Sequence, residues 1–487
     1  MKITRFFCRY PLLILVSFFC LGCSRCPEDS VYEGLPFEMS PVRLPDIPQR
    51  SVSLVDFGGV GDGATLNTEA FAKAIETLSD KGGGRLVVPG GVWLTGPICL
   101  QSNIELHLEE QAVVTFSSDP DLYPVISTNF EGLDTRRCIS PINAEGAHDI
   151  AITGKGVFDG NGQDWRELKR YKVPEKFWEA KIKTGTVHDN VWYPDEGYYK
   201  ARLTCPNFNV PDPSLDEQEI KRFLRPVMVS LRNCEDVLLE GCTFQNSPAW
   251  NIHPLWCRNV TIDGITVRNP AFSTNGDGID IDACENVILR RSSFDVGDDA
   301  ICIKSGKDAD GRRHARKCRN LIIDDCTVYH GHGGFVVGSE MSGGVENILV
   351  SRCRFMGTDV GLRFKSTRGR GGVVSNIWID DIVMTDIPGD AVIFNLYYAG
   401  KSALEASEGS SEAEIKADET TPEFRDISIR NVTVSGAGRA VFLNGLPEMP
   451  LRNISFEDCR FTAGKGVESH YGENISFNNV SVNGKAI

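Results

Sequence analysis

The sequence has no excess of positive charge, little methionine and no long apolar run beyond its N-terminus. Its 51 Lys and Arg residues are outnumbered by 66 Asp and Glu residues, and the formal net charge of −15 argues against a nucleic-acid partner. With 41% hydrophobic and 24% charged residues, the composition excludes a disordered chain and a polytopic membrane protein. The chain has 48 glycines against 7 methionines, a balance typical of β architectures with many turns.

The first 50 residues predict export. Residues 1–22 combine three basic residues and no acidic one with the apolar run 12–21, which is short for a membrane helix and typical of a signal peptide. Cys23 closes this run as at a bacterial lipoprotein cleavage site, so we expect lipidation there, with ordinary signal cleavage as the alternative. Residues 23–50, which contain five prolines, are expected to be a tether. The predicted location is the periplasm or the outer membrane, with membrane contact only through the lipid anchor.

From residue 230 onward a short phrase recurs, made of alternating apolar residues around a polar break, with Asn or Cys just before it. Most phrases start about 27 residues apart. A single phrase cannot bury its own apolar face, but stacked copies can. Residues 51–487 are therefore predicted to form an all-β, single-domain, right-handed parallel β-helix; a leucine-rich-repeat solenoid is the alternative, although its leucine spacing is absent. The phrases begin at Val237, Val260, Val287, Leu321, Ile348, Ile377, Ile427, Ile454 and Ile475.

One helix is predicted, over residues 69–78. Asn67 and Thr68 precede it as capping residues, its apolar residues share one face, and glycines 82–84 end it. We expect it to cap the open N-terminal end of the β-helix, where unpaired strands would otherwise invite association.

The cysteines recur in register with the phrases. Four stand three residues before a phrase start and four stand five residues after one, so stacking arranges them in two ladders with steps of about 4.8 Å. We expect packed free thiols, and a disulfide between neighbouring coils is the alternative. The two sets are Cys234, Cys257, Cys284 and Cys318, and Cys242, Cys326, Cys353 and Cys459.

Two segments interrupt the repeat. Residues 161–225 are rich in aromatic and charged residues, and loops of this length are uncommon unless they are functional. Exposed aromatic side chains would stack on sugar rings; a self-packed flap is the equally weighted alternative. Residues 401–423 are rich in Glu, Ser and Ala and are predicted to be a mobile surface loop.

Neighbouring coils in the middle of the chain carry an unusual density of charged residues. Because alternate residues of a strand project to one side, Asn275 and Asp277 can share a face, as can Arg363 and Lys365. Crowded carboxylates repel one another, so at least one should keep its proton near neutral pH. This division suits glycoside hydrolysis, in which a carboxylic acid protonates the leaving oxygen and a carboxylate activates water. The other members of the constellation are Asp280, Asp282, Asp298, Asp299, His330 and His332.

Each part of the constellation also has a simpler interpretation. Asp-Gly and Asn-Gly pairs mark turns in any β-helix, His330 and His332 could be a metal pair, and Asp280 and Asp282 could bind calcium. The occurrence of all of them on consecutive coils favours a catalytic site, and we expect neither a metal nor a cofactor.

These motifs resemble those of the polygalacturonase family, glycoside hydrolase family 28, over most of residues 51–487. The family's Asn-Thr-Asp motif corresponds to Asn275-Gly276-Asp277, its Gly-Asp-Asp to residues 297–299, its Gly-His-Gly to residues 331–333 and its Arg-x-Lys to residues 363–365. Gly276 replaces the family's Thr but leaves both polar positions of that motif intact.

The resemblance implies an inverting hydrolase that cleaves α-1,4-galacturonosidic bonds of polygalacturonate, the acidic polysaccharide of pectin. The long insertion and the stretch 250–254 resemble exo-acting bacterial members, so exo action is expected and endo action is the alternative. The implied roles are general acid for Asp298, water activation for Asp277 and Asp299, tuning of the acid for His332, and binding of the sugar carboxylate for Arg363 and Lys365. Further substrate contacts are expected at Asn275, Asp280, His253 and either Tyr397 or Tyr398.

Three other functions stay open at this point. The family also includes hydrolases of rhamnogalacturonan and of substituted galacturonans. A calcium-dependent pectate lyase would share the fold, although the paired aspartates and the Gly-His-Gly segment have no role in a lyase. A non-catalytic β-helix that binds glycans is the third alternative.

Overall fold

The computed structural model describes residues 31–205, 212–398 and 416–487, and its main element is a parallel β-helix. Each coil of the chain contributes strands to three parallel sheets, which we name sheets A, B and C. The prediction of an all-β parallel β-helix is confirmed.

Sheet A contains Ser51–Ser53, Gly84–Val88, Ile104–Leu108, His148–Gly154, Glu235–Glu240, Arg258–Asp263, Glu285–Arg290, Cys318–Asp324, Val345–Ser351, Leu451–Glu457 and Gly472–Asn478. Sheet B contains Gly91–Thr95, Ala112–Phe116, Val157–Asp159, Thr243–Gln245, Thr266–Arg268, Ser293–Asp295, Thr327–His330, Arg354–Met356 and Ser481–Val482. Sheet C contains Ile98–Cys99, Ile142–Glu145, Val229–Arg232, Ile252–Leu255, Ile279–Asp282, Asp299–Lys304, Gly333–Val337 and Leu362–Lys365. The long strands Val373–Asn395, Glu423–Asn444 and Arg460–His470 run through two or three of the sheets, and Lys485–Ala486 pairs antiparallel with Ser481–Val482.

The stacking register places like residues above one another inside the β-helix. In sheet C, Ile279 pairs with Ile301, which pairs with Phe335 and then Leu362. All four side chains are fully buried. Because side chains alternate across a strand, the residues between them, such as Asp280 and Arg363, project outward from sheet C.

The recurring phrases span a bend between two sheets. The first one starts within Glu235–Glu240 of sheet A, passes Gly241 and Cys242, and continues into Thr243–Gln245 of sheet B. The polar break in the phrase is therefore the corner of the coil.

The predicted ladders at the corners are present. All twelve described cysteines are free, and all but Cys99 are buried, so packed thiols are confirmed for this part of the chain. The asparagines before the phrases adopt left-handed backbone conformations, as Asn286 does with φ 58°, and hydrogen-bond one another from coil to coil.

The predicted capping helix is observed as α1, Thr68–Asp80. Its buried face contains Phe71, Ile75 and Leu78 and packs on the first strands of the β-helix. Three further helices are described, namely α2 (Glu175–Lys181), α3 (Glu196–Thr204) and α4 (Asp308–His314).

The insertion 161–225 is largely a self-packed flap. Six of its described aromatic residues are at most 8% exposed. Four of them pack together with the antiparallel hairpin Val125–Phe130/Leu133–Cys138, and Trp178 and Trp192 form a second cluster. Tyr171 and Phe177 are exceptions, at 80% and 45% exposed. The flap also contains the small antiparallel strands Leu168–Lys169, Thr186–His188 and Val191–Tyr193. The six buried aromatic residues are Trp165, Trp178, Trp192, Tyr193, Tyr198 and Phe223.

Part of the predicted tether belongs to the folded unit, which comprises residues 36–487. The Phe37 ring stacks on Trp378 with centroids 5.6 Å apart, and the Arg43 guanidinium lies 3.3 Å from the Asp236 carboxylate. The expected boundary at residue 51 is thus corrected, because side chains of residues 36–50 anchor this segment along sheet A.

Several predictions fall outside the described residues. The signal peptide, Cys23 and most of the insertion 401–423 belong to this group. In the described ranges, no helix combines the length and the apolar character that a membrane span requires.

Candidate active site

Three aspartates meet where the strands of sheet C begin. Asp299 is the first residue of Asp299–Lys304, Asp298 precedes it, and Asp277 stands two residues before Ile279–Asp282. Each contributes a carboxylate oxygen, and these oxygens all lie within 4.8 Å of one another. Parallel strands of consecutive coils start at the same edge, which is why residues 21 positions apart converge.

Asp277 is one of the two buried members of this group. Its side chain is 3% exposed, and its Oδ1 accepts no hydrogen bond from the described residues. Burial raises the pKa of Asp277 well above its usual range, and the neighbouring Asp280 and Asp298 carboxylates raise it further. The direction of this shift is the one expected for crowded carboxylates, but burial is its main cause.

Asp299 is buried but paired with cations. Its Oδ2 accepts a 2.6 Å hydrogen bond from Lys365 Nζ, and its Oδ1 accepts a 3.2 Å bond from Arg363. Burial alone would raise the pKa of Asp299, but the charges of Lys365 and Arg363 outweigh it and hold the pKa far below the usual range. The pKa values of Asp277 and Asp299 are therefore shifted in opposite directions although the two residues are neighbours.

Asp298 is the accessible carboxylate. Its side chain is 25% exposed, and its Oδ1 lies 3.1 Å from Nδ1 of His332, whose Nε2 lies 3.7 Å from Asp359. The hydrogen bond to Asp298 raises the pKa of His332, while burial opposes this effect. His332 is thus positioned to hold a positive charge against Asp298.

The two candidate tyrosines have different environments. Tyr398 faces the cations, with Lys365 Nζ 4.9 Å and the Arg363 guanidinium 5.8 Å from its ring centre. Tyr397 is 5% exposed within the core and has Arg368 over its ring. The geometry therefore favours Tyr398 as the tyrosine of the site.

Two other predicted substrate contacts, Asp280 and His253, are buried. Asp280 is fully buried, with an oxygen 3.5 Å from Lys304 Nζ. His253 is 1% exposed, and its Nε2 lies 3.3 Å from Asp282. Asp280, His253 and Tyr397 are thus buried in this structure, and their predicted contacts with the sugar stay a prediction.

Gly276 replaces the family's threonine for a packing reason. A Cβ at this position would lie 2.5 Å from the Cβ of Ser273, closer than real Cβ atoms approach. A side chain at position 276 would therefore require Ser273 to shift.

The site also contains residues that the sequence analysis did not single out. Lys304 donates a 2.9 Å hydrogen bond to Glu340 and lies 4.5 Å from the centre of the Trp250 ring. Asn275 accepts a hydrogen bond from Arg225 and donates one to Glu131. Lys304 follows the Gly-Asp-Asp motif in the same strand and could have been proposed, whereas Glu131, Arg225 and Glu340 carry no local signal in the sequence.

The arrangement can transfer protons and bind an anion. It contains an accessible carboxyl group beside a histidine, an ionised carboxylate and two cations. In the described part of the chain, Asp277, Asp298 and Asp299 are the only group of three or more potential metal ligands. Lys365 and Arg363 already neutralise Asp299, which weakens this group as a cation site. His330 is not part of it, because its Nδ1 contacts the Val296 carbonyl oxygen at 2.8 Å.

Comparison with known proteins supports the same chemistry. Residues 216–482 match glycosyl hydrolases family 28. A protein of Vitis vinifera described as a probable polygalacturonase is 30% identical over 93% of this chain and 82% of its own length. An exo-poly-alpha-D-galacturonosidase of Dickeya chrysanthemi is 27% identical over 81% of this chain and 64% of its own length. The crystal structure of a hyperthermoactive exopolygalacturonase from Thermotoga maritima superposes with a TM-score of 0.76 and 34% identity, covering 92% of this chain and 94% of that one. The chain is a glycoside hydrolase and belongs to glycosyl hydrolases family 28.

Proposed function

We propose that this hydrolase cleaves α-1,4-galacturonosidic bonds of polygalacturonate and removes sugars from the chain end. One observation carries the proposal: three aspartate oxygens converge within 4.8 Å, and one of these aspartates is paired with Arg363 and Lys365. Groups for proton transfer and groups for binding an acidic sugar thus stand together. The names of the relatives in grape, Dickeya and Thermotoga support the substrate class.

In the proposed reaction, Asp298 gives its proton to the glycosidic oxygen as the bond from that oxygen to the anomeric carbon breaks. A water oxygen attacks the anomeric carbon, and the water's proton passes to Asp299. Asp277 would hold this water, since its carboxylate lies beside those of Asp298 and Asp299. Exchange with solvent then returns a proton to Asp298 and removes one from Asp299.

The sugar carboxylate is proposed to bind Arg363 and Lys365, with Tyr398 beside them. Arg363 can donate two parallel hydrogen bonds to a carboxylate, and Lys365 adds a point charge. Both cations already contact Asp299, so a bound uronate would share them with that residue.

Inversion at the anomeric carbon is what the family resemblance implies. The spacing of the carboxyl groups does not by itself indicate inversion. Inverting enzymes commonly separate their carboxyl groups by about 6.5–9.5 Å, whereas the three aspartate oxygens here lie within 4.8 Å of one another. NMR of the first-formed product anomer decides the point, and accumulation of the α-anomer would contradict inversion.

Exo action is supported by the names of the Dickeya and Thermotoga relatives and by the insertion that packs beside the site. Time-resolved analysis of products from polygalacturonate tests it. Monomer from the first time point is expected, and a spread of oligomers would show endo action. Parallel assays on rhamnogalacturonan and on xylose-substituted galacturonan test the substituted-substrate alternatives.

The variant Asp298→Asn tests the catalytic proposal as a whole. We expect loss of activity by about 10³-fold with the fold retained. Unchanged turnover, or no turnover by the wild type, would favour the glycan-binding alternative. Products that absorb in the ultraviolet and are lost on calcium chelation would identify a lyase; the hydrolase should keep its activity in a chelator and form no unsaturated product.

We also propose that the protein is exported and anchored through a lipid on Cys23. The basic and apolar leader supports this proposal. The variant Cys23→Ala should move the protein from the membrane fraction to the soluble fraction, and an unchanged distribution would contradict a lipid anchor.

A further inference from the structure

Two buried arginines of the insertion hold the loop that leads to Asp277. Arg166 donates to the Ser273 hydroxyl, and Arg225 donates to the Thr274 carbonyl oxygen and to the Asn275 side chain. We propose that Arg225, assisted by Arg166, is a positioning residue that aims Asp277 at the scissile bond. The inference rests on the proposed function, in which Asp277 holds the attacking water.

Arg225 makes the central contacts of this arrangement. Its side chain is fully buried, and its Nη1 donates to the carbonyl oxygens of Thr274 at 2.8 Å and Pro248 at 3.1 Å. Its Nη2 donates to Asn275 Oδ1 at 2.5 Å. The planar guanidinium reaches all three acceptors at once, which a lysine ammonium on a single stem would do poorly.

Asn275 is fixed from two directions. Besides accepting from Arg225, it donates through Nδ2 to Glu131 Oε1 at 3.3 Å, at the tip of the hairpin formed by residues 125–138. Its backbone is left-handed, with φ 52°. Because both polar atoms of its amide are engaged in this way, we assign Asn275 an anchoring role in place of the predicted substrate contact.

The loop needs such anchors because it lies outside the sheets. It joins Thr266–Arg268 of sheet B to Ile279–Asp282 of sheet C. The backbone carbonyl of Asp277 accepts hydrogen bonds from Asn251 and Asn269, but its carboxylate Oδ1 accepts none from the described residues. The direction of that carboxylate therefore depends on the backbone around it, and the arginines fix the three residues 273–275.

The insertion thus has a catalytic consequence that its aromatic content did not indicate. A purely structural role for Arg225, in folding the flap, is the competing explanation. Removing the guanidinium has a different effect under each explanation. Misplacement of Asp277 slows the chemical step, whereas loss of flap stability lowers the amount of folded protein.

The experiment compares Arg225→Met and Arg225→Lys with Arg137→Met in the full chain, using polygalacturonate. Arg137 is a matched control, since it is 1% exposed, donates to the Phe223 carbonyl oxygen and lies 4.1 Å from the centre of the Phe130 ring. We expect both Arg225 variants to lower kcat by about 100-fold, with KM within about threefold of the wild type. Arg137→Met should lower Tm at least as much and leave kcat within about threefold.

A double-mutant cycle identifies the residue through which Arg225 acts. Adding Arg225→Met to Asp277→Asn should cost less than about threefold, because the group being positioned is already lost. The proposal would be overturned if Arg225→Met lowered kcat by about 100-fold both in the wild type and in Asp277→Asn, or if it changed KM and left kcat unchanged. If Arg225→Met does not fold, Asn275→Ala removes the same hydrogen bond, and unchanged kcat in that variant would overturn it equally. An inactive wild type would instead contradict the proposed function.

Discussion

Lys365 donates a 2.6 Å hydrogen bond to Asp299, so a residue proposed to bind the sugar carboxylate is also the counterion of a residue proposed to activate water. Substrate binding and base strength are therefore coupled through one ammonium group. An acidic sugar bound to Lys365 and Arg363 would weaken the ion pairs of these two residues with Asp299, whereas a neutral sugar would leave those ion pairs intact.

The variant Lys365→Met should raise KM by about 10-fold or more and lower kcat less, because a hydrogen bond between charged groups is lost on binding. It should also move the acid limb of the pH profile upward. Lys365 lowers the pKa of Asp299 against the effect of burial, so its removal lets Asp299 take up a proton at higher pH. The measurement is kcat and KM between pH 3 and pH 8. Lys317→Met, which removes an exposed lysine paired with Glu346, is the control. A fall in kcat with KM unchanged would show this interpretation to be wrong.

The variant His332→Gln should flatten the alkaline limb of the pH profile and lower kcat/KM by about 10-fold or more. The hydrogen bond to Asp298 raises the pKa of His332, so the wild-type imidazole keeps its charge below that raised value and loses it above. Activity should decline as the pH rises through this value. His330→Gln is a control two residues away, since His330 contacts a backbone carbonyl. An alkaline limb that persists in His332→Gln would assign it to another group.

The variant Asp277→Asn should abolish most activity and yet raise Tm by about 2 °C at pH 7. The pKa of Asp277 is raised in the folded protein, so above about pH 4 the unfolded chain releases this proton more readily, and stability falls with rising pH. The increase in Tm of Asp277→Asn over the wild type should therefore become smaller near pH 4. The control variant Asp325→Asn, at a half-exposed aspartate, should leave Tm unchanged at pH 7 and at pH 4. A destabilised Asp277→Asn would mean that the carboxyl group is better solvated than its burial indicates.

Reduction should not affect the stability of the β-helix. The twelve described cysteines are free thiols, so a reducing agent should leave Tm within about 1 °C. In the native protein a thiol reagent should label Cys99, which is exposed, well before the buried cysteines, as read by peptide mass spectrometry. A clear drop in Tm on reduction would point to disulfides between coils.

The repeat explains why the fold could be predicted. Each phrase carries its own alternation of apolar residues, and the spacing near 27 residues fixes which phrases stack. The ladders of Cys234 and Asn286 follow from the same period. The motifs around Asp277 and Asp298 precede strands of neighbouring coils, so their convergence also follows from the period.

Other features could not be predicted in this way because they depend on packing. Tyr397 and Tyr398 are adjacent in sequence, and only the path of the chain decides which one faces Lys365. Asp280 and Asp282 lie in the same strand, and the sequence pattern does not show that packing buries both carboxylates completely.

The sequence by itself determined the β-helix, its corners and the meeting of three aspartates, because these follow from a local pattern repeated along the chain. Only the tertiary structure decided the contacts of Arg225 and Glu131 with Asn275, which are separated from it by 50 and 144 residues. Those contacts come from segments outside the repeat, where no period relates position in the chain to position in space.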